Sequence, residues 1–285
     1  MIIGEKRERV IENIRQAAEA GDFHAKVEID DPVMTAARRR ELLDQHLQLR
    51  TTSKFRLNSW IARRIVNGAA IKVKSSTRII GFENLTGLSG GAIFTSNHFN
   101  PIDNVVIRIL TQKMGKKNLC IVSQDTNLMM PGLFGFLMNY ADILPISPDP
   151  DYMLRHFECL LRGELEQGNP VLIYPEQEMW FNYRKPRPLK PGAYHYAAKL
   201  NVPVISCFVE ITDLPEQNRK GFCKPSYTLH VLNPIYPNPE KSVKENRTAM
   251  CRQDYLQKKA AYETAYHKPL NYQFESADIA GWVPS

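Results

Sequence analysis

A chain of 285 residues is long enough to bury a full core and suits one large domain with an appendage. Its formal charge of +7 comes without a helix-turn-helix, zinc-finger or aromatic RNA-binding signature, which makes nucleic acid the weaker explanation of the basic balance, and no nucleic-acid partner is expected. No uninterrupted apolar run reaches the roughly 18 residues of a spanning helix, and the charged start, residues 1–9, lacks the apolar core of a secretory signal.

In chain order, residues 1–50 read as charged helix, split by the turn-like Asp30-Asp31-Pro32. From Gln45 to Phe82 there is no acidic residue, while Arg50, Lys54, Arg56, Arg63, Arg64, Lys72, Lys74 and Arg78 all fall there. Leu57, Trp60, Ile61 and Ile65 recur at helical spacing, with Arg56, Ser59, Arg63 and Asn67 on the other side. A basic amphipathic helix carrying a tryptophan reads as a segment lying in a membrane interface with anionic lipids. The alternative is an ordinary helix packed by its apolar face, with a solvated basic face.

Beyond residue 78, apolar runs at 91–95, 119–123, 141–146, 171–174, 204–209 and 227–232 are strand candidates, and helical patterns fall at 104–114, 132–140, 152–167 and 193–200. Such alternation predicts an α/β fold, a mainly parallel sheet flanked by helices, preceded by an N-terminal helical region. Residues 237–267 read as a C-terminal helix, with an irregular tail beyond Pro269. The expected division is 1–78 (helical, basic and membrane-facing), 79–236 (catalytic) and 237–285 (C-terminal helix and tail). The cysteines, Cys120, Cys159, Cys207, Cys223 and Cys251, are odd in number and lack metal-ligand spacing, so reduced thiols in an intracellular protein and no metal site are expected.

The most informative stretch is Asn97-His98-Phe99-Asn100-Pro101-Ile102-Asp103, directly after the first of the strand candidates. Asn100 suits an N-cap and Pro101 a first helical position, which puts His98 in a tight loop and Asp103 in the first helical turn. From there the carboxylate folds back on the imidazole, fixing its tautomer as a general base requires. Gly87-Leu88-Ser89-Gly90-Gly91 also matches a nucleophile-elbow pattern, but that elbow follows a strand, and here the strand comes after it.

Asn-His followed by four residues and Asp is similar to the first signature of the glycerophospholipid acyltransferases, the lysophosphatidic acid acyltransferase family. Gly81-Phe82-Glu83-Asn84-Leu85 resembles the family's lead-in to its first strand. Tyr174-Pro175-Glu176 sits where the family has Phe-Pro-Glu, and Lys190-Pro191-Gly192-Ala193, Ala197-Ala198 and Val202-Pro203-Val204-Ile205 resemble its closing pattern. The departures are specific. Gln177, Glu178 and Met179 replace the family's Gly-Thr-Arg, Ser147 stands near the place of an arginine, and 121–125 lacks the family's lysine. Those cations are the ones the resemblance credits with holding an acceptor phosphate.

The resemblance implies transfer of a fatty acyl group from a thioester, acyl-CoA or acyl carrier protein, to a hydroxyl of a lysophospholipid or related glycerolipid, as in phospholipid biosynthesis. His98 is the expected base and Asp103 its orienting partner, with no cofactor beyond the thioester co-substrate. Asn97, Asn100, Glu176, Gln177 and Glu178 are the expected substrate-binding neighbours, with backbone amides near Glu176-Gln177 or after Asn100 holding the oxyanion. The aromatics from Trp180 to Tyr183 would line a groove, and Arg184 and Lys185 would replace the missing phosphate cations. The expected partners are a lysolipid, an anionic membrane surface and, as alternative donor, acyl carrier protein, at a peripheral position on the inner, cytoplasmic face of a membrane. The other class compatible with the altered block is a non-catalytic lipid-binding or scaffolding protein on the same fold.

Overall fold

The computed structural model describes residues 7–29, 32–217 and 222–283, without the side chain of Lys72; the turn expected at Asp30-Asp31 lies outside the described residues. Three helices come first: α1 (Arg7–Glu19), α2 (Ala36–Arg50) and α3 (Ser53–Lys74). Thr35 and Thr52 cap the second and third by accepting from the backbone N–H groups of Arg38 and Phe55. Strand and helix then alternate: β1 (Thr77–Ile80), β2 (Ala92–Thr95), α4 (Asn104–Lys113), β3 (Cys120–Gln124), α5 (Gly132–Tyr140) and β4 (Ile143–Ile146). A short α6 (Pro150–Tyr152) runs through a π-helical stretch, Met153–Phe157, into α7 (Glu158–Glu166). After them come β5 (Pro170–Ile173), α8 (Gly192–Lys199), β6 (Val204–Gln217), β7 (Cys223–Val231) and α9 (Val243–Tyr266). Ser242 and Glu245 close α9 with a reciprocal capping box.

Among the described residues, seven strands form one sheet in the order β1-β7-β6-β2-β5-β3-β4. Neighbours are parallel throughout except β6 and β7, which form an antiparallel hairpin. The mainly parallel sheet flanked by helices is thus the observed fold. All four residues of β2 are buried, as a central parallel strand covered on both faces requires. Its alternate side chains divide between two cores: Phe94 packs with Val106 and Leu110 of α4, while Ile93 packs with Leu161, Ala197 and Met250 of α7, α8 and α9.

Two features differ from expectation. β1 straddles the expected boundary at residue 78, where no strand was expected, and lies at the sheet edge beside β7. The strand expected at 204–209 runs on to Gln217, because pairing with β7 supplies hydrogen bonds to a segment too polar to be recognised by its hydrophobicity. The lead-in to β2 is pinned by Gly81, whose backbone is left-handed (φ 78°) and whose hydrogen occupies a place where a Cβ would meet the Val231 carbonyl oxygen at 2.2 Å.

The packing of α3 inverts the usual amphipathic arrangement. Its inward face carries Ser59, Ala62 and Ala70, all buried, together with Arg63, which makes a forked pair with Asp142 at 2.7–3.0 Å, and Asn67, which accepts from Gln112 of α4. The apolar stripe points outward: Leu57 is 60% exposed and Trp60 55%, with Ile61 and Ile65 exposed beside them. Neighbouring α5 adds the exposed Leu133. A third core lies away from the sheet, where Val10, Ile11 and Ile14 of α1 meet Trp180, Phe181, Tyr183 and Ile279.

Candidate active site

Thr95 at the end of β2 and Ile173 at the end of β5 are register partners. The segments that follow, 96–103 and 174–190, therefore leave the sheet side by side at its carboxyl end, where open α/β sheets place their sites. His98 Nδ1 lies 2.8 Å from Asp103 Oδ2. The same oxygen accepts from the backbone N–H groups of Phe99 at 2.9 Å and Asn100 at 3.2 Å, so the carboxylate closes the loop on itself. Asp103 is the N-cap residue of α4, yet its side chain makes no capping bond and points back to the loop. The carboxylate is buried and the imidazole is 20% exposed. With Nδ1 held by the carboxylate, Nε2 is the nitrogen left to take a proton.

Tyr174 completes the arrangement. Its hydroxyl donates to Asp103 Oδ1 at 2.5 Å, and its ring stacks on the His98 imidazole with centroids 3.9 Å apart and planes inclined by 15°. Burial, then the neighbouring Asp103 charge, push the phenol well above the usual tyrosine range, so it stays a donor.

Several residues expected to bind substrate serve the loop instead. Asn97 is buried, exchanging hydrogen bonds with the Val209 backbone in β6 at 2.8 and 3.0 Å. Asn100 is not the N-cap of α4; a turn intervenes, and its side chain accepts from the Ile102 backbone N–H. Glu176 does sit beside His98, accepting from its backbone N–H at 3.2 Å, but it is 1% exposed and saturated by Arg187, whose backbone N–H, Nε and Nη2 all donate to it at 3.0–3.2 Å. Burial lowers the Arg187 guanidinium from its ordinary value, and Glu176 counters that by favouring the charged form.

The remaining expectations for this block are corrected in the same way. Glu178 accepts from Gln124 Nε2 at 3.1 Å, while Gln177 is exposed and left-handed (φ 68°). Lys185 is sealed from solvent and neutralised by Asp278 at 2.7 Å, and Arg184 pairs with Asp213 at 2.6 Å and donates to the Ala277 carbonyl. Neither side chain offers the free charge that a relocated phosphate site demands. The Gln177 and Glu178 amides donate to Tyr174 and Glu176 carbonyls, and those of Phe99, Asn100 and Ile102 are also engaged, so they do not form a waiting oxyanion hole. Trp180, Phe181 and Tyr183 are core residues, not a groove lining.

The sequence did not single out Tyr174 for its hydroxyl, or Arg187 and Asn182 as supports. Asn182 is left-handed (φ 52°); its N–H donates to the Phe99 carbonyl at 2.7 Å and its side chain to Ala280, while the Trp180 N–H donates to the His98 carbonyl. The one available signal was the phenol at position 174, a donor that phenylalanine lacks.

Residues 73–210 match the model of the acyltransferase family, a span holding His98, Asp103, Tyr174, Glu176 and Arg187. Among curated proteins no sequence matches the chain. Among solved structures, the crystal structure of the 1-acyl-sn-glycerophosphate (LPA) acyltransferase PlsC from Thermotoga maritima is similar with a TM-score of 0.50, covering 93% of this chain and 99% of that one at 15% identity. At that identity the likeness is one of fold. The family match covers the strands and loops that assemble the histidine–aspartate pair, so the part of the chain that carries this pair is the part similar to the acyltransferase family.

Proposed function

We propose that the protein is an O-acyltransferase that moves a fatty acyl group from a thioester, acyl-CoA or acyl carrier protein, to a hydroxyl of a lysophospholipid or related glycerolipid. The observation that carries this reading is the 2.8 Å contact between His98 Nδ1 and the buried Asp103 carboxylate at the sheet's carboxyl end. His98 Nε2 takes the acceptor's hydroxyl proton as the oxygen attacks the thioester carbonyl, and Asp103 stabilises the imidazolium that forms. Collapse of the tetrahedral intermediate breaks the carbon–sulfur bond, and the imidazolium proton passes to the departing thiolate. The new carbon–oxygen bond is the ester. No covalent acyl-enzyme is needed.

The outward stripe of Leu57, Trp60, Ile61 and Ile65 supports a second part of the proposal, reversible attachment to the anionic inner face of a membrane. An apolar face turned away from its own domain, with Arg56 and Arg64 exposed beside it, suits headgroup contact. Among the described residues no helix is long and apolar enough to cross a membrane.

The test is turnover by purified protein with an acyl-CoA and a 1-acyl lysolipid. His98→Ala is expected to lower kcat at least about 10²-fold with the fold intact, as loss of a general base does. Asp103→Asn is expected to be similarly severe. Near-normal turnover in both variants overturns the mechanism, and wild type that binds vesicles but never turns over returns the protein to the lipid-binding class.

A further inference from the structure

We propose that Tyr174 is a positioning residue for the reaction, its hydroxyl setting the charge and direction of the Asp103 carboxylate while its ring braces the His98 imidazole. This rests on the reading of His98 as the general base. The two carboxylate oxygens of Asp103 have separate duties. Oδ2 serves His98 and the loop amides, whereas Oδ1 has the Tyr174 hydroxyl at 2.5 Å. The side chain is 2% exposed, so without that hydroxyl Oδ1 would lose its donor in a buried place. The ring cannot drift without breaking the stack on the imidazole, and its backbone is fixed because it directly follows β5, next to the strand that leads to His98.

A hydrogen bond donated to a carboxylate spreads its negative charge and weakens its pull on a neighbouring imidazolium. Tyr174 therefore restrains the basicity that Asp103 confers on His98, and holds the carboxylate in the rotamer that faces Nδ1. The other groups facing this pair are accounted for: Glu176 is neutralised by Arg187, Arg108 of α4 lies near the Tyr174 phenol, and the Tyr227 phenol of β7 is held protonated by burial, then by Asp103. None of them bonds to Oδ1. Position 174 is phenylalanine in the motif this chain resembles, so the hydroxyl is a difference at the centre of the site.

The experiment is Tyr174→Phe, which keeps the ring and removes only the donor. Its kcat is expected to fall roughly tenfold, short of the about 10²-fold that misplacing a reacting group by an ångström costs. KM should stay within about twofold, because an interaction felt in the transition state is lost and uniform binding is not. The ascending limb of the pH–kcat profile should move to higher pH. The midpoint of the His98 ring resonances, followed by nitrogen-15 NMR and assigned by their loss in His98→Ala, should move the same way. Tyr174→Leu, which also removes the stack, should lose more. A merely structural tyrosine would lower Tm without moving either midpoint, so wild-type kcat or an unmoved ring titration in Tyr174→Phe overturns the proposal. If His98→Ala stays active, the acyl-transfer reading fails instead, and the ring titration still decides whether Tyr174 acts on His98.

Discussion

Glu176 and Arg187 are both almost completely buried and hold each other between the His98 backbone and the Phe23 carbonyl. Breaking such a pair leaves a charge in the interior, typically at about 3–5 kcal/mol. Glu176→Gln is therefore expected to lower Tm by several degrees and to slow turnover through the displaced His98 loop, which thermal unfolding and kinetics would check together. Arg184→Ala, by contrast, should leave KM for an anionic lysolipid within about twofold, since its charge already faces Asp213; a large rise in KM would contradict that assignment. His46 offers a pH test. Burial, then nearby Arg50, lowers its proton affinity from 6.5 to about 4, and both ring nitrogens are buried without hydrogen bonds. The unfolded chain takes up this proton below about 6.5 and the folded chain only near 4, so stability is full above that window and falls as the pH drops through it. The loss reaches up to about 3 kcal/mol, and denaturant melts at pH 7 and pH 5 should show a smaller drop in His46→Leu than in wild type. At this scale the sequence showed which residues gather at the strand end, since Glu176 and His98 follow paired strands. It did not show what each one touches. Arg187 and Lys185 look like surface cations in a basic run, and only the burial of Glu176 and Asp278 beside them reveals ion pairs.

Helix α3 shows what periodicity does and does not settle. The spacing of Leu57, Trp60, Ile61 and Ile65 identified a helix and its stripe correctly. Which side faces inward depends on neighbours far away in sequence: Asp142 draws in Arg63, and Gln112 draws in Asn67. Small side chains at Ser59, Ala62 and Ala70 then let the helix approach. The expected consequence is that binding to anionic vesicles weakens with salt, as charges screened within about 8 Å at physiological ionic strength should, and that Trp60 emission shifts blue on binding. Trp60→Ala should weaken binding without affecting Tm, whereas Arg63→Ala should lower Tm; equal binding to neutral and anionic vesicles at any salt would contradict the interface role. Shorter elements were harder to read. β1 has only four residues inside a basic tract, and its strand character comes from pairing with β7, more than a hundred residues later. The helical pattern of α4 was read from residue 104, where the helix begins, but its cap was expected at Asn100 because Asn-Pro is a good helix opening in general; here the N-cap residue is Asp103, whose side chain is committed to the histidine loop.

Across the whole molecule, α1 and the segment around Ile279 share one core with the 180–183 loop. The Trp180 indole donates to the Ala25 carbonyl at 3.0 Å, and Tyr183 bridges to Ile279. Removing residues 1–29 is expected to expose Trp180, shift its emission red and lower activity even though no catalytic group is deleted; fluorescence and turnover of the truncated chain check this. The alternation of the sheet was legible from β2 to β7 because each run repeats the same pattern. The third core was not, because its members come from four distant segments that show no common period. Its location has a consequence in time. The His98 and Phe99 carbonyls are held by residues 180 and 182, and Asn182 is itself stapled to Ala280 by bonds in both directions. During synthesis the histidine leaves the ribosome long before Ala280 does, on the order of ten seconds or more at bacterial to eukaryotic elongation rates. Over that interval the loop has its own Asp103 contacts but not its outer brace. A nascent chain therefore carries the reacting groups in an unbraced form, and full activity begins only once residue 280 has emerged and found Asn182.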